Sequence, residues 1–286
     1  MNVWVEAARP RTLVAGVVPV LVGTAASGRL VAPRFIAALI VGVGVQVGVN
    51  YANDLFDATR GVDRDDRLGP RRATAAGLIT PSRMRIGVAA AFGVAAVAGL
   101  YLAAVAGPGL IAVGALCFLA ALGYSGGPRP YASAGLGEIF VFVFFGLVAT
   151  IGSAYVQAQG VTAAAVVAGV PAGCLATAIL VVNNLRDIES DRRAGKLTLA
   201  VRLGRARTRT LYGLLLLVAA TALIPLMVVV GSPSPALALA VAPLGARAAR
   251  SVATRTDGPG LIDALVASAR LQLLFGLLLA LGLWIS

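Results

Sequence analysis

Apolar residues run through this chain in long stretches that are separated by short polar segments. A helix needs about 20 apolar residues to cross the hydrocarbon core of a bilayer. Nine stretches approach or exceed that length, at roughly residues 12–28, 35–52, 86–106, 109–124, 136–156, 161–182, 211–230, 235–250 and 262–285. Several are rich in Gly and Ala, which let helix backbones approach closely in lipid. The pattern predicts an all-α polytopic membrane protein, with nine transmembrane helices packed as a single domain over residues 1–286.

Charge supports this prediction and orients the chain. Only 13% of the residues are charged, against roughly 25% in an average soluble domain. The net charge of +12 comes from 23 Arg and one Lys, which lie almost entirely before the first stretch and after the second, fourth, sixth and eighth. These segments share one membrane face, which is cytoplasmic by the positive-inside rule. The charge therefore indicates topology and anionic lipid, with no nucleic-acid partner. Arg in place of Lys suggests a high-GC genome, and we expect a bacterial plasma (inner) membrane.

The residues that are missing exclude several kinds of chemistry. The chain contains no His, which removes Ser–His and Cys–His nucleophilic catalysis and His-ligated zinc or haem. Cys117 and Cys174 lie inside apolar stretches without a CxxC spacing. We therefore interpret both cysteines as core residues.

Eight of the twelve acidic residues lie in two polar segments, VNYANDLFDATRGVDRDDRLGPRR (49–72) and NNLRDIESDRRAGK (183–196). In both, Asn and Asp recur four residues apart, a spacing that shares one helix face. The positions are Asn53 and Asp57, with Asn50 and Asp54 beside them, in the first segment and Asn183, Asp187 and Asp191 in the second. Four predicted helices separate the segments, so both emerge on the same membrane face. Either segment alone fits a solvated loop, but the repetition favours a shared ligand.

Two facing carboxylate clusters fit a magnesium diphosphate. Such carboxylates repel one another unless cations are bound, and Mg²⁺ is commonly held by one or two carboxylates together with substrate phosphates. Basic residues for the phosphate oxygens lie close by in both segments. Diphosphate bound to metal is a good leaving group, and an allylic cation left behind needs a dry apolar pocket. The pattern predicts prenyl transfer inside the membrane.

The sequence resembles the UbiA superfamily of intramembrane prenyltransferases, and within it the branch that prenylates 1,4-dihydroxy-2-naphthoate. The resemblance spans nearly the whole chain and is carried by ARPRTL (8–13), NYANDLFD (50–57), RGVDRDDRLGP (60–70), AGLIT (76–80), RPYASAGLGE (129–138) and NNLRDIESDRRAGKLTLAVRLG (183–204). It implies a nine-helix bundle around a central cavity, with Asp-rich motifs after helices 2 and 6. In the first motif the usual third Asp is replaced by Gly61, and Asp63 follows two residues later.

The resemblance also implies roles for particular residues. The implied ligands of Mg²⁺ are Asn53, Asp54, Asp57, Asp63, Asp187 and Asp191. The implied substrate-binding residues are Arg9, Asn50, Asn53, Arg60, Arg67, Asn183, Arg186 and Lys196. The implied catalytic carboxylates are Asp57, Asp187 and Asp191. Tyr124 and Tyr131, which flank GGPRP at the end of the fourth stretch, are further catalytic candidates from their position. The two tyrosines would stabilise the allylic cation by their ring faces, although anchoring at the membrane interface explains them equally well. Arg9 is the candidate for the carboxylate of the acceptor.

The expected reaction joins a polyprenyl diphosphate to 1,4-dihydroxy-2-naphthoate with loss of CO₂, giving a demethylmenaquinol and diphosphate. A different aromatic acceptor, of the 4-hydroxybenzoate or homogentisate type, is an alternative. A transporter with acidic cation sites is another, although transporter sites lie near the bilayer midplane and not at helix ends. Where relatives often carry Gly-Tyr-Arg, this chain has Ala132, Ser133 and Ala134. Prenyl length and oligomeric state are not predicted.

Overall fold

The computed structural model describes residues 2–60 and 72–286, and in this part of the chain all regular elements are helices. The α-helices are α1 (Val3–Ala8), α2 (Val14–Ala26), α3 (Ala32–Thr59), α4 (Pro81–Ala106), α5 (Gly109–Ser125), α6 (Gly137–Val141), α7 (Ala149–Ala158), α8 (Ala163–Arg193), α9 (Leu199–Thr221), α10 (Leu223–Val230), α11 (Ala242–Thr254) and α12 (Gly258–Trp284). Two 3₁₀-helices, Pro10–Thr12 and Ser234–Val241, precede α2 and α11. A π-helix, Phe142–Val148, joins α6 to α7.

Seven helical runs in the described chain are long and apolar enough to cross a membrane. They are Ala32–Thr59, Pro81–Ala106, Gly137–Ala158, Ala163–Arg193, Leu199–Val230, Ser234–Thr254 and Gly258–Trp284. The other two predicted stretches form shorter apolar helices, α2 and α5, of 13 and 17 residues. The prediction of an all-helical polytopic membrane protein is confirmed, whereas the number of nine spans stays a prediction.

Helix α8 is the central helix of the bundle. In its most apolar window 78% of the residues are buried inside the protein, against 17% in the run Leu199–Val230. It packs against α9, α12, α2 and the π-helix. Cys174 of α8 is buried in a core with Leu175 and with Phe275 of α12, in agreement with its interpretation as a core residue. The C-terminal end of α8 carries the second Asn/Asp segment.

Glycine residues allow the closest approaches between helices. A Cβ atom on Gly16 would press against the backbone carbonyl of Gly42, and a Cβ on Gly42 would press against that of Gly16. Helices α2 and α3 therefore meet through bare backbone. In the same way, a Cβ on Gly173 of α8 would meet the carbonyl of Phe142 and the Cα of Gly146 in the π-helix. Such contacts are the expected way to hold helices together in lipid, where apolar burial gives little driving force.

We expect Gly173→Val to lower the free energy of unfolding in detergent by about 1–3 kcal/mol, as overpacking of a filled interior usually does. Gly93→Val is the matched control, because a Cβ on Gly93 of α4 meets no neighbouring atom. The measurement is the thermal unfolding midpoint of both variants in one detergent. Equal midpoints for the two variants would contradict the close packing of α8 on the π-helix.

The N-terminal segment lies across the end of α3 that bears the first Asn/Asp segment. The ring of Trp4 meets the ring of Tyr51 edge to face at 5.5 Å, and the Tyr51 hydroxyl donates to the Trp4 carbonyl at 3.0 Å. Ala7 packs with Leu55 and with Met84 of α4 in a small buried cluster. These contacts fix the turn that follows α1, where Arg9 is located.

Candidate active site

A cavity of about 740 Å³ lies inside the bundle. Its lining comes from the N-terminal segment, from helices α2 to α8 with the π-helix, and from α12. Toward the C-terminal ends of α3 and α8 the lining is polar and includes residues of both Asn/Asp segments. Elsewhere it consists mainly of small and apolar side chains, among them Val41, Gly99, Ile111 and Val148. The cavity thus joins a charged end to an apolar chamber.

Asp57 joins the two segments. Its carboxylate is buried and accepts from Arg72 Nη2 at 3.0 Å and from Lys196 Nζ at 2.7 Å. Lys196 belongs to the second segment, 139 positions further along the chain. The two Asn/Asp segments therefore belong to one site, because the ion pair between Asp57 and Lys196 connects them.

Asn53 and Arg60 bind the end of α5. The Asn53 side-chain oxygen accepts from the Ser125 hydroxyl, and the Arg60 guanidinium donates to the backbone carbonyls of Ser125 and Gly127. Both residues line the cavity. Arg60 was expected to bind phosphate; its guanidinium here binds the carbonyl of Ser125, which α5 leaves unpaired at its C-terminus, and that of Gly127 in the following segment.

Asp54 turns away from the cavity. It is buried, and its two carboxylate oxygens accept from the backbone N–H groups of Ala73, at 2.9 Å, and Thr74, at 2.8 Å. It is absent from the cavity lining. This geometry favours a role for Asp54 in holding the segment that leads into α4 over a role as a metal ligand.

In the second segment, Arg186 and Asp187 form a buried pair. Arg186 donates from Nε and Nη2 to the two oxygens of Asp187, each at 2.7 Å, and from Nη2 to the Asn183 side-chain oxygen at 2.9 Å. Asp191, one turn further on, is only partly buried and also lines the cavity. The spacing of four residues therefore places Asn183, Asp187 and Asp191 along the cavity, as predicted.

Asn184 connects the second segment to α6. Its side-chain nitrogen donates to Glu138 Oε1 at 2.9 Å, and both residues are buried. Asn184 lines the cavity, whereas Glu138 lies behind it. Glu138 thus orients a cavity amide.

The segment between α5 and α6 closes the polar end of the cavity beside Lys196. Ala132 and Ser133 of this segment line the cavity. The backbone carbonyl of Ser133 accepts from the Leu197 N–H at 3.1 Å. This bond ties the segment to the chain that carries Lys196.

Aromatic rings form a continuous wall along the cavity. Tyr124 meets Tyr131 edge to face at 5.5 Å, Tyr131 stacks on Phe140 at 3.9 Å, and Phe140 stacks on Phe144 at 5.8 Å. Burial raises the pKa of the Tyr131 phenol above its ordinary value, so its hydroxyl stays protonated and donates to the Ala120 carbonyl at 2.6 Å. All four rings line the cavity.

The fold and this arrangement agree with the comparisons with known proteins. The UbiA prenyltransferase family matches residues 16–264. The chain belongs to this family. UbiA membership makes it a prenyl-transferring membrane enzyme, which confirms the resemblance stated from the sequence.

Two bacterial relatives match almost over their full length. The 1,4-dihydroxy-2-naphthoate octaprenyltransferase of Mycobacterium tuberculosis is 45% identical over 280 residues, which is 97% of this chain and 95% of the relative. The protein with the same name from Escherichia coli is 37% identical over 294 residues, with 99% and 95% coverage.

Solved UbiA structures share the fold. A UbiA homologue from Archaeoglobus fulgidus, bound to GPP and Mg²⁺, aligns with a TM-score of 0.67 over 97% of this chain and 99% of its own, at 15% identity. A UbiA homologue from Aeropyrum pernix aligns with a TM-score of 0.68 over 96% and 97% of the two chains, at 16% identity.

The cavity brings together most of the predicted site residues in the described part of this UbiA protein. Those that line it are Arg9, Asn50, Asn53, Asp57, Arg60, Tyr124, Tyr131, Asn183, Arg186, Asp187, Asp191 and Lys196. Asp54 does not, and Asp63 and Arg67 lie outside the described residues. Ser125 and Asn184 were not predicted as site residues. The adjacent Asn of the NN pair was the only available signal for Asn184, and nothing in the sequence pointed to Ser125.

Proposed function

We propose that this chain transfers a polyprenyl group from a polyprenyl diphosphate to 1,4-dihydroxy-2-naphthoate, with release of CO₂ and diphosphate. The observation that carries the proposal is the near full-length similarity to relatives that bear this name. The geometry supports it, because both Asn/Asp segments meet at the mouth of one apolar chamber.

The bonds of the proposed reaction balance without a catalytic base. The allylic carbon–oxygen bond breaks and its electron pair leaves with diphosphate. The ring carbon that bears the carboxylate then bonds to the allylic carbon, and the bond to CO₂ breaks and returns its pair to the ring. An acceptor that enters as a carboxylate releases no further proton. The reaction therefore needs no His base, and the sequence contains no His.

The residues at the polar end fit a divalent metal, and Mg²⁺ is the proposed ion. The donors that line the cavity are carboxylate and amide oxygens, the ligands that Mg²⁺ prefers. In residues 2–60 and 72–286 no group of three Asp, Glu, Cys or His side chains is placed to hold a metal alone. The proposed protein ligands are Asp57, Asp187 and Asp191, and substrate phosphates would complete the coordination of the ion. When bound, the ion would neutralise the charge that develops on departing diphosphate.

Lys196, Arg72 and Arg186 are the proposed phosphate contacts. In the described state these cations bind the carboxylates of Asp57 and Asp187. Each is therefore already at the polar end and would turn toward phosphate oxygens when diphosphate arrives, because charge-assisted bonds to phosphate are strong. Arg60 is committed to carbonyl groups and is the weaker candidate.

The chamber and the aromatic wall would protect the allylic cation. Small and apolar side chains exclude water, which would otherwise capture the cation. The rings of Tyr124, Tyr131 and Phe140 line the cavity, and a ring face turned toward the allylic cation would attract its positive charge. The prenyl tail would extend along the apolar lining.

The charge distribution supports an inner-membrane location with the active site at the cytoplasmic face. Arg60, Arg72, Arg186 and Lys196 line the polar end of the cavity, and short segments rich in Arg and Lys remain in the cytoplasm. The diphosphate substrate would then bind from the cytoplasmic side. The whole chain would form one domain.

The test is turnover by the purified protein in detergent. The assay supplies Mg²⁺, a long-chain allylic diphosphate, and either 1,4-dihydroxy-2-naphthoate or 4-hydroxybenzoate, with products identified by mass spectrometry. We expect prenylated product from the naphthoate, lighter by CO₂ than a simple adduct. Product from the benzoate alone would reject the proposed acceptor, and no product from either would reject the proposed reaction for these acceptors.

A further inference from the structure

Asn184 presents an amide of fixed orientation to the cavity. Its Nδ2 donates to Glu138 Oε1 at 2.9 Å, and Asn184 lines the cavity while Glu138 lies behind it. The carboxyl oxygen receives this bond from the nitrogen end of the amide, so the Oδ1 end is turned away from Glu138. Among residues 2–60 and 72–286 no donor reaches Oδ1, and this atom is not fully enclosed by protein. The amide therefore offers the cavity a carbonyl oxygen.

Glu138 has no other evident task in the bundle. It is buried at the start of α6, and no Arg or Lys of the described chain pairs with its side chain. Its carboxyl group accepts from the Asn184 amide and from its own backbone N–H. A buried acidic group is costly and needs such hydrogen bonds. Hydrogen bonds in a chain polarise one another, so Glu138 both orients Asn184 Oδ1 and strengthens it as an acceptor.

The Asn184 amide lies between the polar end of the cavity and the aromatic wall. Asp187 and Leu180 lie one turn to either side of it on α8, and both line the cavity. Tyr124, the first ring of the wall, is also near, because a Cβ on Gly137 would lie 3.7 Å from the Tyr124 hydroxyl and 3.5 Å from the Leu180 side chain. An aromatic ring that packs on Tyr124 would therefore lie within reach of Asn184.

We infer that Asn184 Oδ1 accepts a hydrogen bond from the 4-hydroxyl group of the aromatic acceptor, and that Glu138 is a positioning residue that holds the amide in this orientation. The inference rests on the proposed function and adds the group that selects a hydroquinone. In 1,4-dihydroxy-2-naphthoate the 1-hydroxyl is adjacent to the carboxylate and bonds to it within the molecule. The 4-hydroxyl has no internal acceptor, so in a dry chamber it needs a protein oxygen.

An amide oxygen also binds metal ions, and the position of Asn184 favours the hydroxyl over the metal. The proposed metal ligands Asp187 and Asp191 lie further toward the C-terminal end of α8, where the lining is polar. Asn184 carries no charge, and the lining residues one turn earlier on α8, Ile179 and Leu180, are apolar. This location suits a neutral donor on an aromatic ligand.

The test compares 4-hydroxy-2-naphthoate with 2-naphthoate, which differ by one hydroxyl group. Their binding to the purified protein is measured by calorimetry, independently of turnover. We expect the wild type to bind the hydroxyl ligand about three- to tenfold more tightly, the range of one net hydrogen bond. In Asn184→Ala the two affinities should agree within about twofold. The KM for the dihydroxynaphthoate substrate should rise in this variant, and the KM for the diphosphate should not.

A double variant tests the orientation of the amide. Asn184→Asp combined with Glu138→Gln exchanges the donor and acceptor sides of the pair and keeps its net charge. The glutamine amide would donate to the new carboxylate, whose second oxygen would still face the cavity. Both buried groups keep a partner, so the double variant should fold, and we expect a hydroxyl preference within about threefold of the wild type.

Thr177→Val is the matched control. Thr177 is buried on α8 and donates to the backbone carbonyl of Glu138 at 3.5 Å. The substitution keeps the shape of the side chain and leaves the bond between Asn184 and Glu138 in place, so the hydroxyl preference should not change.

Four results would overturn the inference. They are equal binding of the two ligands by the wild type, a hydroxyl preference that survives in Asn184→Ala, loss of the preference in the folded double variant, and loss of the preference in Thr177→Val. A higher Mg²⁺ concentration for half-maximal turnover in Asn184→Ala, with the preference unchanged, would instead make Asn184 a metal ligand. A wild type that prefers the hydroxyl ligand but does not prenylate the dihydroxynaphthoate would reject the proposed function and leave the role of Asn184 intact.

Discussion

Asp191→Asn should reduce turnover by roughly 10²- to 10³-fold while leaving the protein folded. Asp191 lines the cavity at the end of the second segment and is only partly buried. The substitution keeps the size of the side chain and removes one negative charge from the proposed metal site. Metal stabilisation of departing diphosphate is worth several kcal/mol, and 3–4 kcal/mol corresponds to about this factor in rate.

Glu189→Gln is the matched control for this prediction. Glu189 lies two residues earlier on α8, exposed to solvent, and makes long ion pairs with Arg192 at 3.6 Å and Arg205 at 3.8 Å. Exposed pairs of this kind contribute little, and the control loses the same formal charge. Turnover of both variants is measured with their unfolding midpoints. A comparable loss in the two variants, or near-normal turnover of Asp191→Asn, would remove Asp191 from the metal site.

The metal itself gives an independent measurement for the same residue. Chelation by EDTA should stop turnover of the wild type, and added Mg²⁺ should restore it. Mn²⁺ binding, followed by electron paramagnetic resonance with diphosphate present, should weaken in Asp191→Asn and not in Glu189→Gln. Asp57→Asn and Asp187→Asn are less suitable, because each disrupts a buried ion pair and would also destabilise the fold.

Hydropathy predicted the spanning helices because a segment in lipid must expose apolar side chains and satisfy its backbone hydrogen bonds internally. The helical runs Pro81–Ala106 and Gly258–Trp284 follow closely from this rule. The π-helix at Phe142–Val148 does not, since its apolar residues do not distinguish it from an α-helix; Gly146 of this π-helix packs closely on Gly173. Likewise, the stretch expected at 235–250 begins as a 3₁₀-helix, Ser234–Val241. The apolar content of a stretch indicates that lipid surrounds it, but it does not indicate which type of helix the backbone forms.

The same limit applies to the candidate site. Spacing by four residues placed Asn183, Asp187 and Asp191 on one face, because that property is local to a helix. It gave no information on which groups would meet each carboxylate. Lys196 reaches Asp57 across 139 positions, and Asn50 of α3 donates to the carbonyl of Ala8 across 42 positions. Contacts of this range follow from tertiary packing, so the sequence left open which groups the residues of the candidate site would contact.

Asp54→Ala should destabilise the protein and leave its metal dependence unchanged, although Asp54 lies in the same motif as Asp57. Removing the carboxylate leaves the buried N–H groups of Ala73 and Thr74 without their acceptors. Each unsatisfied group costs about 1–3 kcal/mol, so we expect a loss of about 2–6 kcal/mol in the free energy of unfolding. The measurements are thermal unfolding in detergent and hydrogen exchange at the amides of residues 73–79.

Asp54→Asn separates anchoring from metal binding. Its amide retains one oxygen acceptor for two N–H groups, so it should show an intermediate loss of stability and intermediate exchange protection. A metal ligand behaves differently, because an amide in its place removes the charge and raises the Mg²⁺ concentration needed for half-maximal turnover, with little change in unfolding. That second pattern in Asp54→Asn would return Asp54 to the metal site. The first pattern would mean that the two acidic residues of NDLFD have separate tasks, one facing the substrate and the other holding the chain that leads into α4.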